Sequence, residues 1–222
     1  IDMKPLDLAL TLQPEPPPPG PSGPDRLAAN VSIRLGADGY VILPAGQKAP
    51  LLPLVNDVDF VGLPLLDSAF LGGTYYVSAR AVTGPTFLTP SSIVSAVQTT
   101  TTSFPIGIDG FVGLPTLNTP ALNSGWDGQH LDVTFGAGAP IDLTVYDVAG
   151  GNGLIHWTVA VPGGSRAIQL PDISGFDGAN LPSGPITIGI YGARFKTFDY
   201  AQLRYRNLRP QFMDAYSLDY VE

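Results

Sequence analysis

Leu6, Leu8, Leu10 and Leu12 alternate with Asp7, Ala9 and Thr11 near the start of the chain, the period of a half-buried β-strand. A proline ramp follows: Pro14, Pro16 to Pro19, Pro21 and Pro24, with Gly20 and Gly23. Such a run favours extended polyproline II and has few amide donors for a sheet. Fully extended at roughly 3.1 Å per residue, Pro14 to Pro24 reaches about 34 Å. An apolar strand on a semi-rigid spacer has to find a sheet edge, on its own chain or on a neighbour. The sequence therefore predicts an assembly strand at Leu6, Leu8, Leu10 and Leu12. Residues 1–24 form the strand and its linker.

The rest of the chain reads as all-β. Val31, Ile33 and Leu35 alternate before a turn at Gly36 to Gly39, and Tyr40 to Leu43 complete a hairpin. Residues 44–56 are rich in Pro, Gly and Leu and read as irregular. Tyr75, Val77, Ala79 and Ala81 share one face of a strand, and Ile93 to Phe104 form a Val-, Ile- and Thr-rich strand. In the second half Leu131, Val133 and Phe135 alternate, as do Ile141, Leu143 and Val145, and Ile155, Trp157, Val159 and Val161. Further strands are expected over 166–170, 186–195, 200–208 and 212–221. Turn chemistry separates them at 150–153, 163–164, 177–178 and 182–185. No window of about 12 residues sustains a helical period.

Phe60-Val61-Gly62-Leu63-Pro64 recurs as Phe111-Val112-Gly113-Leu114-Pro115. Two copies do not make a solenoid; they read as a reused way of entering a sandwich. The second copy closely follows the threonine run Thr99 to Thr102, which places a domain boundary near residue 105. The expectation is two β-sandwiches, 25–105 and 106–222, with Trp157, Val159, Leu143 and Phe135 in the core of the second.

Composition narrows the partners. A formal charge of −8 opposes binding to nucleic acid, whose phosphates need a basic footprint. Only 14% of residues are charged, a balance common among extracellular β-proteins. The chain has no cysteine, so disulfides and thiolate sites are excluded. No apolar run approaches the ~20 residues of a membrane-spanning helix. The start at Ile1 suggests a processed or truncated end, consistent with secretion.

Residues 74–100, TYYVSARAVTGPTFLTPSSIVSAVQTT, resemble the last hairpin of fibronectin type III modules. Tyr76, Val77, Ala79, Ala81, Pro90, Ser91 and Thr99 stand in that pattern. The tryptophan common early in those modules is missing between 25 and 73, which leaves a generic immunoglobulin-like sandwich equally open. Residues 106–222, with GFVGLPTLNTPALNSGWDGQHLDVTF, are similar in style to β-rich surface lipoproteins of myxobacteria, a resemblance that implies no particular activity.

Catalytic chemistry is not visible. His130 and His156 lack the further ligands of a zinc site, and no Gly-x-Ser-x-Gly elbow or phosphate loop occurs. Asn56, Asp57 and Asp59, then Asp109, then Asp172, Asp177 and Asn180 are oxygen-rich groups. They suit calcium as well as tight turns, so calcium is the one cofactor in view. Asn30-Val31-Ser32 is a lone glycosylation sequon. Arg194, Lys196, Arg204, Arg206 and Arg209 concentrate five of the eleven basic residues among aromatics that include Tyr191, Tyr205 and Phe212. Arg204 and Arg206 are expected on one strand face. Tyr191, Arg194, Arg204 and Arg206 thus mark a ligand surface for glycan or peptide, against the plainer reading that the aromatics are core and the arginines pair with Asp199, Asp214 and Asp219.

Three classes of function follow in order. The first is a non-enzymatic extracellular or cell-surface structural protein that self-associates through its N-terminal strand. The second is a glycan- or peptide-binding module using strands 191–216. The third is a secreted hydrolase with a dispersed acidic site.

Overall fold

The computed structural model describes residues 3–8, 23–37, 39–84, 88–101, 105–150, 155–164, 167–172, 175–176, 184–209 and 212–222. Among them the protein is all-β and antiparallel, with no helix of seven residues or more. Leu10, Leu12, most of the proline ramp, and the expected turns at 151–153 and 177–183 lie outside the described residues.

The first half supplies β1 (Met3–Leu8), β2 (Arg26–Arg34), β3 (Tyr40–Lys48), β4 (Val58–Pro64), β5 (Thr74–Thr83) and β6 (Leu88–Thr99). The second supplies β7 (Pro115–Thr119), β8 (His130–Phe135), β9 (Leu143–Gly150), β10 (Ile155–Pro162), β11 (Ala167–Gln169), β12 (Ile186–Phe195) and β13 (Met213–Val221). Eight of them form one sheet in the order β10-β9-β12-β13-β6-β5-β2-β3. Two small sheets accompany it, β1-β4 and β11-β8-β7.

The expected division at residue 105 therefore follows chain order but not sheet boundaries. β6 from the first half and β13 from the second pair in register, with Tyr216 opposite Ile93 and Ser217 opposite Ser92. What remains double is the core. The first cluster takes Leu27, Ala29, Val31 and Ile33 of β2 and Tyr75, Val77, Ala79 and Ala81 of β5, the period-two faces visible in the sequence. It closes with Phe60 and Leu63 of β4, and also with Ile106, Ile108, Phe111 and Val112 from beyond the expected boundary. Both Phe-Val-Gly-Leu-Pro copies thus enter the same core. Their glycines serve different ends: Gly62 holds a positive φ of 84°, whereas Gly113 lets two backbones touch. A Cβ on Gly113 would lie 2.0 Å from the carbonyl oxygen of Gly136.

The second cluster joins Leu131 and Val133 of β8 to Tyr146, Val148, Ile188 and Ile190 of the large sheet. Trp157, Val159 and Phe135 pack against it as partly buried residues. Leu143 corrects the expected phasing. It is fully buried, but it shares register with Pro162 and Ala193, on the face opposite Tyr146 and Val148. β9 lies inside the sheet and is buried on both faces at this end, so apolar alternation alone does not identify its core side.

Two further readings change. Residues 44–56 are not irregular throughout, because β3 continues to Lys48. Pro44 is accommodated because β3 is an edge strand. Residues 200–208 form no strand; they make two 3₁₀ turns, Tyr200–Gln202 and Tyr205–Leu208. The Asp199 carboxylate accepts the Ala201 amide at 3.0 Å, and Asn207 Oδ1 accepts the Arg204 amide at 2.9 Å. These local bonds draw the backbone away from a ladder.

β1 pairs antiparallel with β4 of the same chain, with Leu6 opposite Phe60 and Leu8 opposite Val58. Neither strand has another ladder partner among the described residues.

Candidate functional site

The outer face of the large sheet, opposite the first core, carries the alternate residues of the core-forming strands. Arg34 of β2, Tyr40 of β3 and Tyr76 of β5 stand there, each one step out of phase with a core residue such as Ile33 or Tyr75. The Tyr40 and Tyr76 rings meet edge to face, centroids 5.1 Å apart at 74°. Burial first, then the Tyr40 neighbour, raises the Tyr76 hydroxyl above its ordinary pKa, while the Arg34 charge works against the shift.

Residues 195–207 and 212–214 supply the other wall of a cleft of about 970 Å³ over these side chains. Its 3₁₀ turns bring Arg204 and Arg206 into the lining, where Lys196, just past the end of β12, joins them with Phe198 and Phe212. Asp199 and Asp214 are the acidic lining residues, so four cations meet two carboxylates. The cleft is locally positive on a chain of net charge −8. Lys196 Nζ approaches Asp214 at 3.9 Å, and Asp199 is engaged in capping its own turn.

The four residues expected to share a ligand surface separate. Arg204 and Arg206 line this cleft, through turns rather than a strand face. Tyr191 lies on the outer face of β12, where its hydroxyl bonds that of Tyr220. Burial, followed by that hydrogen bond, pushes the Tyr191 pKa far up. Arg194 is three residues on and faces the other way, its guanidinium packed so closely on Gly110 that a Cβ there would lie 2.7 Å from it. The sequence marks Tyr40 and Tyr76 only as strand residues, and Arg34 not at all. Their signal is the polar phase of strands whose apolar phase is plain.

A second cleft, of about 680 Å³, opens at the end of the second core. Trp157 of β10, Ile186 and Ile188 of β12 and Leu117 of β7 line it, and residues 120–129 close one side. That loop is braced. Asp127 Oδ1 accepts the amides of Gln129 at 2.9 Å and His130 at 2.8 Å, and Oδ2 lies 2.5 Å from His130 Nδ1. The Trp126 indole donates to the His130 carbonyl at 2.7 Å. The two backbone bonds, and then the imidazole, lower the Asp127 pKa to about 2.

His156 has a parallel arrangement on the outer face, where Asp147 Oδ1 lies 2.5 Å from its Nε2 and accepts the Thr158 hydroxyl at 3.0 Å. Both histidines are therefore paired with a carboxylate. Among the described residues no three His, Cys, Asp or Glu side chains gather as a metal site. Asp177 and Asn180, one of the oxygen groups suited to calcium, lie outside the described residues. No helix among the described residues is long and apolar enough to cross a membrane.

Comparison of the chain with known protein families, with curated proteins and with solved structures finds no match.

Proposed function

We propose that this protein is a non-enzymatic structural module of the cell exterior that joins to copies of itself by exchanging its N-terminal strand. The pairing of β1 with β4 carries this reading. Among the described residues β4 has no ladder partner but β1, and β1 has none but β4. The strand is followed by a proline-rich spacer, so leaving its own β4 for that of a neighbour breaks and remakes the same ladder. Exchange then costs the fold little, and the balance between cis and trans pairing depends on concentration. Apolar β-strands with open edges favour such addition over exposure to water. The test is light-scattering mass measurement of the full chain and of a variant lacking residues 1–12, over a range of concentrations. Oligomers that disappear on deletion, while the remaining monomer stays folded, support exchange. A full chain monomeric at every concentration, merely destabilised by the deletion, overturns it.

A second reading rests on the outer-face cleft. Arg34, Arg204 and Arg206 surround the Tyr40–Tyr76 pair on an otherwise acidic protein, which suits a glycan or peptide bearing negative charge. Binding of a sulfated oligosaccharide or an acidic peptide should weaken with salt and fall about tenfold or more in Arg204→Ala/Arg206→Ala. Binding unchanged in that variant overturns the reading.

A further inference from the structure

We propose that the cleft between Trp126 and Trp157 binds an uncharged oligosaccharide. The chain has two tryptophans, 31 positions apart, and the fold brings both to this cleft. Both pack on the second core and stay partly exposed where the cleft opens, and Leu122 at the rim is 66% exposed. An indole face complements the C–H face of a sugar ring, as it does other flat apolar surfaces, while the hydroxyls at the ring edge need hydrogen-bond partners. Asn123 and Gln129 supply amides along the same wall, and Ser124, whose hydroxyl donates to the Ala121 carbonyl at 2.6 Å, supplies an acceptor. Asn123 sits at a turn with φ of 60° and is exposed.

Charge selects among sugars. Among the described residues no Lys or Arg lines the cleft, whereas carboxylates do, so an anionic ligand would meet repulsion there. A peptide is the competing occupant, since proline-rich segments also dock on aromatic-lined grooves, and the titration below separates the two. The volume lies within the range of small-ligand sites. The loop is also prepared in advance: Asp127 and the Trp126 indole hold it through the bonds described above, which limits the ordering cost of binding.

Because both tryptophans line the cleft, intrinsic fluorescence of the full chain reports on this site directly. The experiment titrates the protein with neutral β-glucan, α-glucan, xylan, mannan and chitin oligosaccharides, with an acidic oligosaccharide and an apolar peptide alongside. The expected result is a saturable change in emission with at least one neutral sugar at or below ~1 mM. It should weaken about tenfold in Asn123→Ala/Gln129→Ala, two surface-loop substitutions that leave the core intact, and persist in Arg204→Ala/Arg206→Ala. Three results overturn the proposal. One is no change with any neutral sugar, another is equal binding by the Asn123/Gln129 variant, and the third is a response confined to the acidic sugar or the peptide.

Discussion

Ser92 of β6 and Ser217 of β13 face each other across the ladder that joins the two halves of the large sheet, and their hydroxyls donate to consecutive carbonyls, Val112 and Gly113, each at 2.7 Å. Both serines are fully buried. The strap they hold is the second Phe-Val-Gly-Leu-Pro copy, which also bonds residues 136–139 through Gly136 N to Leu114 O at 2.9 Å and Ala139 N to Phe111 O at 2.8 Å. The strap thus ties the middle of the sheet to the segment leading into β9.

Removing either hydroxyl strands a buried carbonyl. Ser92→Ala and Ser217→Ala should each destabilise the fold by about 1–3 kcal/mol in denaturant unfolding. Because both bonds act on one strap, the double variant should lose less than the sum. Wild-type stability in either single variant would show that the strap is held by its other side alone.

Gly113 tests the same junction sterically. Its missing side chain would occupy the space of the Gly136 carbonyl, and a Cβ on Gly138 would lie 2.1 Å from the Gly113 nitrogen. Neither clash is with a side chain that can rotate away. Gly113→Ala should cost about 3 kcal/mol or more, beyond ordinary overpacking. Gly164→Ala, with open space around the added carbon, should stay within about 0.5 kcal/mol of wild type.

The strands of the first core are legible because one phase is apolar and the other polar: Leu27 to Ile33 and Tyr75 to Ala81 declare both element and face. The same clarity fails at Leu143, where both faces of a central strand are covered, and at residues 200–208, where Asp199 and Asn207 divert aromatic-rich segments into turns. The single large sheet could not be read from local pattern, since the β6–β13 register joins segments far apart in the chain. The sites suffer from the same limit. Arg204 and Arg206 were visible as a cluster, but Arg34, Tyr40 and Tyr76 reach them only through strand order. Trp126 and Trp157 converge through packing of loop 120–129 on the end of the second core.

The Asp127 turn carries a pH signature. Its carboxyl is held near 2, below the ordinary 3.8, so the bracing it gives is complete above pH 4 and fades as pH falls through about 2. The part of the tryptophan emission that depends on this carboxylate should therefore persist down to about pH 4 and be lost as pH falls through about 2. Asp127→Asn keeps one acceptor but loses the anion that holds His130, and should move the emission at pH 7. An unaltered spectrum in that variant would show that Trp126 is positioned without the turn.

Asp219 should behave in the opposite sense. It is partly buried opposite Ile190, and loss of water raises its pKa despite hydrogen bonds from the Tyr220 amide, at 2.9 Å, and from Thr89. A raised carboxyl favours the fold when protonated, and that contribution disappears as pH rises through the folded-state value. At pH 7 the ionised group is therefore a burden on the native state. Asp219→Asn retains an oxygen acceptor for both bonds and carries no charge. The variant should melt at a higher temperature than wild type at pH 7, and the gain should shrink to nothing at pH 3, where Asp219 is protonated in folded and unfolded chains alike. Thermal unfolding at the two pH values decides the matter. A variant less stable than wild type at pH 7 would mean that the charge, through its hydrogen bonds, holds β13 against β6 more strongly than burial opposes it.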